Sequence, residues 1–85
     1  MPDKRKEYIR DFYTELMREH IRYADIENDD PKSEALWAEY ISRVDEIIDK
    51  FEKTAGATDI YIMRKLFACQ VAAIEKQSLK RAGKI

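Results

Sequence analysis

The sequence predicts an all-α protein, folded as a three-helix antiparallel (up-down-up) bundle. Three observations predict it. Apolar residues recur at steps of three and four through three long segments, which is the spacing of one helix face. Helix breakers are scarce, with two Gly and two Pro in 85 residues, and all four fall at junctions or ends. No segment alternates apolar and polar residues as a half-buried strand would. A two-helix hairpin with the third helix exchanged between subunits fits the same pattern. Residues 1–85 are read as one domain, a size at which a single core forms but stability is modest.

The first helix is expected over about residues 3–26. Ile9, Phe12, Tyr13, Leu16, Met17, Ile21 and Ala24 form its apolar face, and Asp3 is its expected N-cap. The second is expected over about 31–54. Its stripe is Trp37, Tyr40, Ile41, Val44, Ile47, Ile48 and Phe51, with Trp37 the expected core anchor. Pro31 suits the first helical position, Asp30 the N-cap before it, and Gly56 a left-handed residue past the end. The third is expected over about 58–82. Thr58 is its expected cap, Asp59 meets the positive end of the dipole, and Lys76, Lys80 and Arg81 precede a terminating Gly83.

The net charge is −1, unevenly spread: residues 25–53 hold ten acids and four bases, residues 54–85 six bases and two acids. This polarity can steer a partner, whereas the near-neutral total argues against phosphate neutralisation as the main task. Cys69 is the only cysteine, which excludes a disulfide within the chain and suits a reducing, cytoplasmic setting. The opening MPDKRKEYIR has no apolar run after its charges, and the uncharged stretch LFACQVAAI is far too short to cross a membrane.

The acid-rich stretch DIENDDPKSE invites a calcium reading. An EF-hand loop beginning at Asp25 would need Gly at its sixth position and Glu at its twelfth; Asp30 and Leu36 stand there. The stretch is therefore read as a turn that caps the second helix. His20, the only histidine, lacks a partner at metal-ligand spacing and is expected to be partly buried. Cys69, among Phe67, Ala68, Val71 and Ala72, is expected to be buried and inert. No catalytic residue, metal or cofactor is assigned, and no small-molecule substrate is evident.

The third helix carries the informative anomaly. Ile60, Met63, Phe67, Val71 and Ile74 supply one wall of the core, yet Ile62, Leu66, Cys69 and Ala73 make a second stripe on another face. Either the helix is central and packed from both sides, or the second stripe is an interface. The interface reading leads: a small non-catalytic interaction or accessory module that self-associates as a homodimer through Ile62, Leu66, Cys69 and Ala73, or docks another helical protein there. Ala68, Ala72 and Ala73 would allow close approach. A nucleic-acid-binding accessory role is a further alternative.

The segment RVDEIIDKFEKTAGATDIYIMRKLFACQVAAIEKQSLK resembles the last two helices of the small all-helical chorismate mutases. That resemblance implies an intertwined dimer whose basic pocket holds a dicarboxylate for a pericyclic rearrangement by positioning and charge. Arg5 and Arg22 would then be the first-helix arginines, Arg43 and Glu46 the second-helix pair, and Gln77 the last polar group. The sequence departs from the family at Pro31, which breaks the chain before Lys32, and at Ala72, Ala73 and Ile74, where polar residues would stand.

Overall fold

The computed structural model describes residues 4–27 and 31–84. Asp3, Asp29 and Asp30, three of the expected turn and cap residues, lie outside the described residues. Three helices follow one another: α1 (Lys4–Tyr23), α2 (Pro31–Glu52) and α3 (Ala57–Arg81), each in contact with the other two. Cross-helix pairs fix their directions. Phe12 meets Phe51 and Glu19 meets Arg43, so α1 and α2 are antiparallel. Arg5 meets Asp59 and Gln70 meets Leu16, both 54 residues apart, so α1 and α3 run parallel in one register. The result is an up-down-up bundle of 52 × 21 × 19 Å in which α3 packs on its own chain.

The helix ends explain where the boundaries depart from expectation. α1 stops at Tyr23 and not near residue 26, because the chain turns there. The Ile26 amide donates to the Tyr23 carbonyl, which drives Ile26 into the core, and Arg81 donates to the Ile26 carbonyl at 2.8 Å. α2 begins at Pro31 as expected. It ends at Glu52, where the amides of Thr54 and Ala55 both donate to the Phe51 carbonyl. That turn needs no left-handed residue, so Gly56 is extended (φ −71°, ψ 165°) and serves as the N-cap of α3, with Thr58 inside the first turn. The left-handed glycine is Gly83 (φ 75°). Its amide donates to the Lys80 carbonyl and the Lys84 amide to that of Leu79, the two bonds that satisfy the carbonyls of a helix C-terminus.

The core has two apolar clusters. In the first, Phe12 lies edge-to-face with Phe51 and Phe67 at 5.8 and 5.4 Å, joining all three helices, with Ile47, Ile48, Ile60 and Met63 around them. In the second, Tyr23 stacks on Tyr40 at 4.6 Å beside Ile26 and Ile74. Trp37 is half-buried against this second cluster, and the fully buried aromatic of α2 is Tyr40, not Trp37.

Candidate functional site

Between the two clusters lies a polar layer. Glu19 follows Phe12 by seven residues and precedes Tyr23 by four, so helical spacing carries its carboxylate inward, where it is 0% exposed. Arg43, three residues after Tyr40, meets it bidentately: Nε donates to Oε2 at 2.9 Å and Nη2 to Oε1 at 2.8 Å. These bonds hold the guanidinium pKa above its usual value. Next to the pair, the Tyr40 hydroxyl donates to Gln70 Oε1 at 2.5 Å, and Gln70 Nε2 donates to the Leu16 carbonyl at 2.8 Å. Burial first, and then the Glu19 charge, raise the Tyr40 phenol. Both Glu19 oxygens are engaged by Arg43, so the layer ties three helices together and presents no free acid or base.

A second cluster closes one end of the α1–α3 contact. Asp59 receives Arg5 Nε at 3.0 Å, Arg5 Nη2 at 3.1 Å and the Tyr8 hydroxyl at 2.5 Å. The Arg5 bond first, then the Tyr8 bond, hold Asp59 below the ordinary carboxylate value, and the same Tyr8–Asp59 bond raises the phenol of Tyr8. Asp59 does stand in the first turn of α3, but its carboxylate serves the neighbouring helix.

The residues that the mutase resemblance nominates do not converge within one chain. Arg5 is held by Asp59, and Arg22 lies 17 positions along α1, about 25 Å away at ~1.5 Å per residue. Arg43 is held by Glu19, and Gln77 is exposed. Glu46 is exposed and, with Arg43, lines a shallow groove of about 210 Å³ between α1 and α2. His20 and Cys69 are both exposed, which overturns the burial expected of each. Among the described residues no three His, Cys, Asp or Glu side chains could hold a metal ion, and no helix is long and apolar enough to cross a membrane.

The apolar surface is where the molecule is unusual. Of the second stripe of α3, Ile62 is 46% exposed, Cys69 and Ala73 are exposed, and Leu66 is half-buried, so α3 is not packed from both sides. On α1, Tyr13, Met17 and Ile21, expected in the core, are exposed at 50, 63 and 74%. Helix geometry is the reason: at about 100° per residue, Tyr13, Met17 and Ile21 lie progressively farther around α1 from buried Phe12, and their exposure rises in that order. Ile9 and Tyr13 on one side and Ile62 and Leu66 on the other flank a common groove of about 220 Å³. Ala68 and Ala72 do not belong to this face. They line a different groove, about 420 Å³, between α2 and α3 with Ile41, Val44, Phe67 and Val71.

Helical spacing already contained the missed signals. Glu19 and Gln70 stand at core positions of their stripes, Gln70 three residues after Phe67 and four before Ile74. The second half of the exposed face, on α1, was hidden among residues of core spacing. No protein-family model, no curated protein and no solved structure matches the chain.

Proposed function

We propose that this protein is a small non-catalytic interaction module that docks helices on the α1–α3 face, and that it self-associates there through Ile62, Leu66, Cys69 and Ala73. One observation carries the reading: exposed Tyr13 of α1 and exposed Ile62 of α3, with half-buried Ile9 and Leu66, flank a single groove, so apolar surface from two helices meets there. Isolated exposed apolar residues are ordinary on a protein surface, but a contiguous, groove-forming set marks an interaction site.

The order of residues along α3 suits a second copy. Ile62 and Leu66 are large and come first; Cys69 and Ala73 are small and follow. Antiparallel pairing about a two-fold axis between positions 67 and 68 sets Ile62 over the partner's Ala73 and Leu66 over the partner's Cys69, large against small. A chain with one exposed thiol suits a reducing compartment, and a cytoplasmic location belongs to the same proposal. The geometry favours neither other reading. The nominated arginines are scattered, and the exposed surface of α2 is acidic.

Sedimentation equilibrium over a wide concentration range tests the proposal. The mass should rise from monomer towards dimer, and Leu66→Glu should hold it at monomer with helicity intact. A wild type that stays monomeric throughout removes self-association. An unfolded Leu66→Glu variant assigns Leu66 to the core, and Ile62→Glu, at a more exposed position, then serves as the test.

A further inference from the structure

We infer that the α1–α3 face selects, among helices, an amphipathic helix whose apolar stripe is flanked by carboxylates. The inference rests on the docking role proposed above and adds the chemistry of the partner. It comes from the charges that border the stripe. Three or four residues from Ile9, Tyr13, Ile62, Cys69 and Ala73 stand Lys6, Arg10, Lys65 and Lys76, all exposed and none in an ion pair with another described residue. Lys80 continues the edge one turn beyond Lys76. At the same spacing only two acids occur. Asp59 is taken by Arg5 and Tyr8, and Asp25 lies one turn past Ile21, beyond the end of α1.

The bases sit on the two outer edges of the face, on α1 and on α3, with the apolar groove between them. A helix laid in that groove, at the usual 8–10 Å axis spacing, would bring its own flanking side chains to both edges. Carboxylates there gain several surface pairings at once, and bases there are repelled. In the antiparallel pairing of two copies, Lys65 comes level with the partner's Gln70 and Lys76 with the partner's Asp59, a carboxylate already held by Arg5 and Tyr8. Self-association thus offers these bases no free carboxylate and is the weaker use of the face, whereas an acid-flanked helix binds more tightly and weakens with salt. A flat anionic bilayer matches the charge but not the shape, since the apolar residues line a groove between two parallel helices.

Two fluorescent helical peptides of about six turns test this, with one identical leucine stripe flanked by Glu in the first and Lys in the second. Anisotropy titration of the full chain should show the Glu peptide binding at least about tenfold tighter at about 0.05 M salt, a preference largely lost at about 0.5 M. Lys65→Glu/Lys76→Glu should reverse the preference with unchanged helicity, and Lys65→Glu alone should halve its effect on a logarithmic scale. Equal binding of the two peptides, or a preference that survives the charge reversal, overturns the inference and leaves the docking role standing. If neither peptide binds, the inference falls, and sedimentation decides separately whether self-association survives. Binding to phosphatidylserine-containing vesicles with no peptide binding overturns it in favour of a membrane surface.

Discussion

Arg43→Met strands a carboxylate in the middle of the bundle. Glu19 is 0% exposed and both of its oxygens are bonded to Arg43, so the variant leaves the charge buried without its partner. Removing one member of a buried pair costs about 3–5 kcal/mol. The Arg43 side chain is 34% exposed, so water can reach the vacated site, which argues for the lower end, about 3 kcal/mol. The whole fold should have only about 4–13 kcal/mol at ~0.05–0.15 kcal/mol per residue. In urea, with a slope of about 1 kcal/mol/M for so small a chain, the midpoint should fall by about 3 M. The melting temperature should fall by about 12–24 °C.

The control is Glu19→Leu combined with Arg43→Met. It replaces the pair by apolar groups of similar size and should return to within about 1 kcal/mol of wild type, because the desolvation cost of both charges disappears with them. Urea unfolding followed by helical circular dichroism measures all three chains. If Arg43→Met costs less than about 1 kcal/mol, or if the double variant is no more stable than the single one, the account of the polar layer is wrong. The same measurement separates a structural arginine from a catalytic one, whose loss leaves stability nearly unchanged.

Three further outcomes are expected. Phe12→Ala should cost about 3–5 kcal/mol by emptying the junction of all three helices, whereas Trp37→Ala, at a half-buried site, should cost roughly half of that; equal losses would contradict the placement of the core. Asp59, with its folded pKa lowered, contributes stability that is present above its ordinary value of 3.8 and is lost as pH falls through the lowered value. Asp59→Asn should therefore flatten the acid limb of the urea-midpoint profile, and a limb of unchanged steepness would remove the Arg5–Tyr8–Asp59 cluster as its source. Cys69 should react rapidly with a thiol reagent in dilute solution and more slowly as concentration rises, and a rate independent of concentration would place it outside any contact between copies.

What could be read from the sequence follows a physical boundary. Three helices, the start of α2 at Pro31 and the end of α3 just before Gly83 are local properties, set by spacing and backbone geometry within a few residues. The core stripe of α2 was legible in part: Tyr40, Ile47, Ile48 and Phe51 are buried, Trp37 and Val44 are half-buried, and Ile41 is 43% exposed. Glu19 and Arg43 were not, because a charged residue at core spacing looks solvent-facing until its partner, 24 positions away, is placed beside it. The exposure of Met17 and Ile21 was hidden for the related reason that periodicity marks an apolar arc but not which edge of it meets a neighbour. Gly56 was misjudged because the turn out of α2 is completed around Phe51 before the glycine is reached.

The polar layer and the free apolar face are two sides of one arrangement. Glu19 shares the inward side of α1 with Phe12 and Tyr23, while Met17 and Ile21 stand on the outward side. An apolar core alone specifies helix register loosely, because one leucine-like contact substitutes for another. The bonds of this molecule do not permit that substitution. Gln70 reaches the Leu16 carbonyl and Arg5 reaches Asp59 at the same 54-residue offset, so sliding α1 along α3 by one turn, about 5.4 Å, breaks both together. The same slip would carry Tyr13 away from Ile62 and dissolve the groove that they flank. A register held by polar bonds matters little to a bundle that only has to stay folded. It matters where side chains from two helices must stand level to form one docking surface.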